Sequence, residues 1–359
     1  MLFLMAMLTL LAACGGTSPA VPTSAAVAST AAGATPVPDA SAPTLTAEPT
    51  FAAFSDMTYV FVPPSLGNFY FDSANKGAQE AAAELAVQVL YQGPDTNDAA
   101  IQSQLIYTLA AQKVAGIAIA ANDVEALVPA AKKAMSTGIP VVSWQLPIAQ
   151  YGRQVHINQA DSVDIAAVQI KMADRLAGGE GQIAILGATA TAVDQREWIG
   201  LMQEELKKPE YAQLELVDVV YGDDNDAKSY SETQALIRKY PDLKVIVVPT
   251  TIGITSASRA VQDAGLVGKV FITGLGFPNQ MRGYLRSGIA PQFAFWSPID
   301  LGYLTIYTVF SIHTGRIKGD PGEMFKAGRL GWYTIDRDGV VLLGKPIVFT
   351  NDNIDRFDF

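Results

Sequence analysis

The chain has 359 residues, with 35 Asp or Glu against 25 Lys or Arg, a formal charge of −10 and 49% hydrophobic content. That length and composition suit a sizeable buried core shared between about two domains. One cysteine, Cys14, and two histidines, His156 and His313, exclude an intramolecular disulfide and a Cys- or His-rich metal centre, and the acidic balance leaves no nucleic-acid footprint.

No Lys or Arg precedes Lys76. Residues 1–13, MLFLMAMLTLLAA, are apolar and uncharged and run into Cys14, Gly15 and Gly16. An apolar run closed by small residues reads as a secretory signal. The residues Leu11-Ala12-Ala13-Cys14 resemble the lipobox of bacterial lipoproteins, whose cysteine is acylated and becomes the new N-terminus. The resemblance implies a signal peptide over 1–13 and a lipid anchor on Cys14, since about 0.8 kcal/mol accrues per buried CH2 of an acyl chain. The departure is the absence of a charged residue before Cys14. No later run reaches the roughly 18 apolar residues of a membrane span, so membrane contact is expected through the anchor only. Residues 14–56 are mostly Ala, Ser, Thr and Pro, including Pro19, Pro22, Pro36, Pro38, Pro43 and Pro49. Such a stretch buries too little apolar surface to offset chain entropy and predicts a disordered tether.

From Thr58 onward, β-branched runs alternate with helical stretches. TYVFV (58–62), VQVLY (87–91), GIAIA (116–120) and IPVVSW (139–144) are separated by segments such as AQEAAAELA and ALVPAAKKAMSTG. Continuous apolar strands joined by helices predict a parallel sheet buried on both faces. The pattern restarts with QIAIL (182–186), LVDVV (216–220), VIVV (245–248) and VFITG (270–274), separated by REWIGLMQEELKK and SETQALIRKY among others. HINQADS (156–162) joins the two blocks. PQFAFWS (291–297) predicts a further strand, DLGYLTIYTVFSIHTG a helix, and VVLLGKPIVFT a short hairpin. The class is α/β, with two doubly wound parallel-sheet lobes.

Ligands of such sheets bind beyond the carboxyl ends of the strands. In the first block those ends offer Asn68, Phe69, Tyr70, Asn122, Trp144 and Gln145, and the joining segment offers Asn158 and Gln159. In the second they offer Asp194, Gln195, Pro249, Thr251, Phe277 and Trp296. Aromatic rings beside planar amides and carboxylates suit a sugar. Its C–H face packs on a ring, and its hydroxyls pair with polar groups that reject analogues lacking them. Plainer roles stand beside this one: Trp144 and Trp198 serve equally as core residues, Asn122-Asp123 as a helix cap, and Asp194 as a first-turn acid.

Catalytic patterns are weak. Gly274-Leu275-Gly276 begins like a dinucleotide fingerprint, but Asn279 stands where its third glycine belongs. His156 has no partner nucleophile at local spacing and reads as structural. Asp223-Asp224-Asn225-Asp226 lacks the glycine and glutamate of a calcium loop and reads as a solvated turn capping the next helix. No catalytic residue, cofactor or metal is expected.

The passages GAQEAAAELAVQVLYQGP, TGLGFPNQMRGYLRSG, FWSPIDLGYL and VFTNDNIDRFDF resemble the type I periplasmic sugar-binding proteins of ABC importers, the ribose-binding-like family, over about 57–359. Rhamnose-binding and autoinducer-2-binding members are the most similar. The resemblance implies three hinge crossings, near Asn158–Ser162, Trp296–Pro298 and Gly331. The N-terminal lobe is then 57–160 with 297–330, and the C-terminal lobe 161–296 with 331–359. Autoinducer-2 receptors use a lysine where this chain has Pro64 and an aspartate where it has Gln145, while Asp194-Gln195 and Pro249 match their pattern and Thr251 takes their small-residue position. The resemblance therefore implies an extracytoplasmic, lipid-anchored, monomeric binding protein, not an enzyme. It would deliver a rhamnose-like monosaccharide to an ABC permease, with autoinducer-2 as the alternative ligand.

Overall fold

The structure, a computed structural model, describes residues 56–359, so the expected signal peptide, Cys14 and nearly all of the expected tether lie outside the described residues. The first block of βα units yields β1 (Thr58–Val62), α1 (Phe69–Leu85), β2 (Gln88–Tyr91), α2 (Ala99–Gln112), β3 (Gly116–Ile119), α3 (Val128–Ser136), β4 (Val141–Trp144) and β5 (Val155–Asn158). The second begins with α4 (Ser162–Ala177), β6 (Gly181–Gly187), α5 (Val193–Glu205), β7 (Leu214–Tyr221) and α6 (Asp226–Lys239). It continues with β8 (Leu243–Val248), α7 (Thr251–Asp263), β9 (Phe271–Gly274), α8 (Pro278–Arg286) and β10 (Phe293–Phe295). The chain then forms α9 (Pro298–His313), β11 (Met324–Ala327), β12 (Gly331–Thr334), β13 (Val340–Leu342) and β14 (Ile347–Phe349).

Two parallel sheets result, in the orders β13-β5-β4-β3-β1-β2 and β7-β6-β8-β9, with antiparallel pairs β10-β14 and β11-β12. Neighbouring residues of one strand serve opposite cores. Tyr59 and Phe61 join Trp144 and the residues of α1 and α9, whereas Val60 and Val62 join those of α2 and α3. Both faces are therefore apolar, which is why TYVFV shows no polar alternation. The second lobe has one continuous core of β6, β8 and β9 with α4, α7, Phe293 and Phe349.

The chain passes between lobes between β5 and α4, between β10 and α9, and between β13 and β14. The third passage spans 343–346, beyond Gly331, so residues 331–342 extend the first lobe. VVLLGKPIVFT is accordingly no hairpin: Val341 pairs with Ile157 in the first sheet, and Val348 with Ala294 beside the second. A local pattern of two apolar runs around a glycine cannot distinguish a turn from a crossing.

Helix α9 returns to the first lobe and crosses α1 at backbone contact. A Cβ on Gly77 would lie 1.7 Å from the Ile299 carbonyl oxygen, and one on Gly302 would lie 1.9 Å from that of Ala74. Both positions demand glycine for close approach. This crossing anchors the N-terminus of α1, where the cavity begins.

His156 is buried in the first sheet, with its Nδ1 2.9 Å from the Ser143 hydroxyl. Burial, helped by the Arg153 charge, pushes its imidazole from 6.5 down to about 3. Between those values the unfolded chain binds a proton that the folded one refuses, so stability falls as pH falls through that window. Urea titrations from pH 7 to pH 4 should show up to about 1.4 kcal/mol lost per pH unit from this group. His156→Gln should flatten the slope by that amount; an unchanged slope would contradict the burial argument.

Candidate functional site

Beyond the carboxyl ends of both sheets lies a cavity of about 310 Å3, at the small end of the roughly 300–1,000 Å3 of small-molecule sites. The first lobe contributes Asn68, Tyr70 and Phe71 from the start of α1, and Gln145 and Leu146 just after β4. The second contributes Gln195 and Trp198 on α5, Asp224 after β7, and Pro249, Thr250, Thr251 and Ile252 around the start of α7. Leu275 and Phe277 follow β9, and Phe295 and Trp296 close the wall at the end of β10.

The aromatic side is a continuous cluster. Phe295 stacks on Trp296 with centroids 4.3 Å apart, Trp296 meets Trp198 edge-on at 6.4 Å, and Phe277 lies 4.9 Å from Phe295. Offset and edge contacts of this kind are the favourable ring geometries. They hold apolar faces rigidly against the cavity.

The polar side is sparse and locked. Trp296 Nε1 donates to the Tyr70 hydroxyl at 2.8 Å, and that hydroxyl donates to Gln145 Oε1. Burial pushes the Tyr70 phenol above its ordinary value, with the Trp296 bond opposing, so the hydroxyl keeps its proton. Gln145 has a left-handed backbone, φ +56, which costs a non-glycine residue about 1–3 kcal/mol and points to a functional constraint. Gln195 is 5% exposed; its Oε1 accepts from Ala188 N at 3.1 Å and its Nε2 donates to the Pro249 carbonyl at 2.9 Å. That amide clamps the ends of β6 and β8 together. Asp224 accepts from the Thr250 hydroxyl and is the one charged residue among those lining the cavity. With one carboxylate and no His, Lys, Arg or Cys, the lining offers hydrogen bonds and ring faces but no acid/base pair.

Of the residues nominated from sequence, Asn68, Tyr70, Gln145, Gln195, Pro249, Thr251, Phe277 and Trp296 border the cavity. Asn68 also caps α1, its Oδ1 accepting from Tyr70 N at 2.9 Å. The other six stand elsewhere. Phe69 packs edge-on against Phe277 at 5.3 Å. Trp144 is fully buried, stacked on Phe61 at 4.1 Å and edge-on to Phe71, so it supports the wall from behind. Asn122 Nδ2 donates to the Pro64 carbonyl at 2.7 Å and braces the loop after β1. Asn158 and Gln159 form the first crossing, where Asn158 Oδ1 accepts from Gln159 N at 3.0 Å. Asp194 is exposed in the first turn of α5, its Oδ1 accepting from Gln195 N at 2.8 Å.

Asp224 escaped the sequence reading because its acidic run read as a capping turn. The turn does cap α6, through Asn225 Oδ1 to Lys228 N at 3.0 Å, but Asp224 itself turns to the cavity wall. The strand-end rule that picked out the other residues applies equally at the end of β7. Phe71, Leu146, Trp198, Thr250, Ile252, Leu275 and Phe295 complete the lining; most are apolar and look like core residues in a sequence.

Known proteins share this architecture. The profile of the periplasmic binding protein domain family matches residues 59–317. A crystal structure of a sugar ABC transporter protein from Actinomyces odontolyticus is 39% identical, with TM-score 0.82 over 85% of this chain and 98% of that one. An ABC transporter solute-binding protein from Clostridium phytofermentas, solved with bound L-rhamnose, is 34% identical, with TM-score 0.71 over 84% of this chain and 98% of that one. The D-allose-binding periplasmic protein of Escherichia coli is 25% identical over 70% of this chain and 83% of its own length.

The Gln195 clamp makes a direct prediction. Gln195→Met keeps the side-chain bulk but strands a buried N–H and a buried carbonyl, each at about 1–3 kcal/mol. Chemical denaturation should register a loss of about 2–4 kcal/mol. A loss below about 0.5 kcal/mol, the size of an ordinary surface substitution, would rule the clamp out.

Proposed function

The chain belongs to the periplasmic binding protein family, the solute-binding components of sugar ABC transporters, and from that premise we propose that it captures L-rhamnose or a related deoxyhexose between its lobes and delivers it to a membrane permease. Family membership implies a location outside the cytoplasm and a role as a binder of solutes, not an enzyme. One observation carries the choice of ligand class: a small cavity joining Trp198, Trp296 and Phe277 to a single carboxylate, Asp224. Ring faces take the C–H surface of a pyranose, and the carboxylate takes its hydroxyls. Phe71 and Leu275 offer apolar wall for a methyl substituent. Neutral Pro64 and Gln145, where autoinducer-2 receptors carry a lysine and an aspartate, argue for the sugar over autoinducer-2. The 34% identical relative solved with L-rhamnose supports the same choice.

Calorimetry with L-rhamnose, D-allose, D-ribose and autoinducer-2 tests the proposal. L-rhamnose should bind in a saturable way and, at about 100 times its Kd, stabilise the protein by about 2.7 kcal/mol. Asp224→Asn should weaken that binding roughly 10- to 100-fold, since hydrogen bonds to a charged group are worth about 1.5–3 kcal/mol. Binding of autoinducer-2 with no sugar bound would give the site to the alternative ligand.

The anchor is a separate part of the proposal and rests on Leu11-Ala12-Ala13-Cys14. When the full chain is expressed in a bacterial host fed an alkyne fatty acid, the protein should carry the label and fractionate with membranes. Cys14→Ser should lose both properties. An unlabelled wild-type protein would refute the anchor.

A further inference from the structure

We propose that a groove at the amino end of the first sheet is the docking site for residues 49–55 of this same chain, PTFAAFS, with Phe51 and Phe54 as its two apolar anchors.

The groove measures about 930 Å3 and lies at the strand starts, the opposite end of the first sheet from the ligand cavity. Its wall includes Leu90 of β2, Ala111 in the last turn of α2, Val114 and Ala115 before β3, and Ile139 before β4. Leu90 pairs in register with Val60, whose side chain lies on the face that α2 and α3 cover. Paired residues point to the same side of a sheet, so Leu90 belongs to that covered face. Yet β2 is the edge strand, and there Leu90 is left 41% exposed. The groove thus presents apolar surface that the helices of the lobe do not cover.

Position and chemistry choose the occupant. Asp56 stands on the rim of the groove. Phe54, two residues earlier, reaches at most about 7 Å from it, and Phe51 about 18 Å. Between Cys14 and Asp56 these two are the only aromatic residues. A stretch that serves solely as a solvated spacer is poor in aromatic rings, and here the two rings stand directly before the fold begins. Charge agrees. Both α2 and α3 end at the groove, and the open carbonyls of helix C-termini disfavour acids and accept N–H donors. Residues 49–55 carry no charge, the last acid before them being Glu48. A second copy of this chain, with its formal charge of −10, suits those ends less well. Docking leaves the ligand cavity untouched and fixes the place on the first lobe from which the rest of the tether departs. It holds whether or not Cys14 carries lipid.

The test places benzoylphenylalanine, a photo-reactive analogue of phenylalanine, at position 54 of the full chain and maps the cross-links by mass spectrometry. They should fall on the peptides that hold Leu90, residues 111–115 and Ile139. Cross-links scattered over the surface would overturn the proposal. So would equal capture of the groove by the same analogue at Thr30, which would mark the groove as merely adhesive. Mixing unlabelled with 15N-labelled protein separates the remaining occupant: cross-linked pairs of mixed isotope would give the groove to a second copy. Leu90→Lys changes an exposed position and should cut the groove cross-link at least about 5-fold, because the apolar wall is lost; an undiminished yield would contradict the docking. In the chain without the analogue, Phe51→Ser combined with Phe54→Ser should speed hydrogen exchange at the amides of residues 110–115 roughly 10-fold. Exchange that does not change would refute the anchors.

Discussion

Parallel strands impose the constraint on which the rest of the molecule depends. A strand that must pair with a parallel neighbour has to leave from its carboxyl end, cross a face of the sheet and start again at the far edge. Every loop that begins at a carboxyl end therefore emerges on one side. With two such sheets in one chain, the loops after β1 and β4 and those after β6 to β10 converge on a single cavity. The helices that make the return journeys bury both faces of the sheets. Apolar residues are thus consumed in the cores, and polar chemistry is concentrated at the loop starts.

Two buried side-chain amides brace the strand ends where those loops start. Gln102 is fully buried, and its Nε2 donates to the carbonyls of Pro63 and Ala120, binding the ends of β1 and β3. Gln195 does the same for β6 and β8. In each case a buried amide satisfies backbone groups that a strand end would leave unpaired. The groups left over for a ligand are few, which is the usual condition for selectivity in a binding site. Preorganisation also lowers the entropy lost when a ligand binds.

Most strands of both sheets were legible because a two-sided parallel sheet produces apolar runs with few interruptions, as in Val245–Val248. β5 was visible only as a joining segment, since VHIN carries two polar residues, one of which, His156, is buried. The pair β11-β12 left no signal; Met324, Lys326, Trp332 and Thr334 on its outer face mix polar and apolar types without a period. Site residues were legible where a polar or aromatic side chain directly follows an apolar strand, as with Gln145 and Trp296. Asp224 was hidden in an acidic run with a second role, and Asp194, two residues into a helix, points away from the cavity that its neighbour Gln195 borders. Which of two adjacent polar residues faces inward depends on helix phase, and a four-residue strand end is too short to fix that phase.

The late crossing between β13 and β14 bears on how the molecule assembles in time. The first lobe needs α9 and β13 to close its core, and the second needs Phe293 paired with Phe349, with Ile354 and Phe359 packed beneath. Neither lobe is a contiguous stretch of chain. A nascent polypeptide emerging as far as α8 holds two open sheets, each lacking a covering element still to be made. Long-range closure of this kind is slow and leaves apolar surface uncovered meanwhile. Neither core can therefore be completed until the C-terminal segment has been made, so the last residues of the chain govern when both lobes take shape.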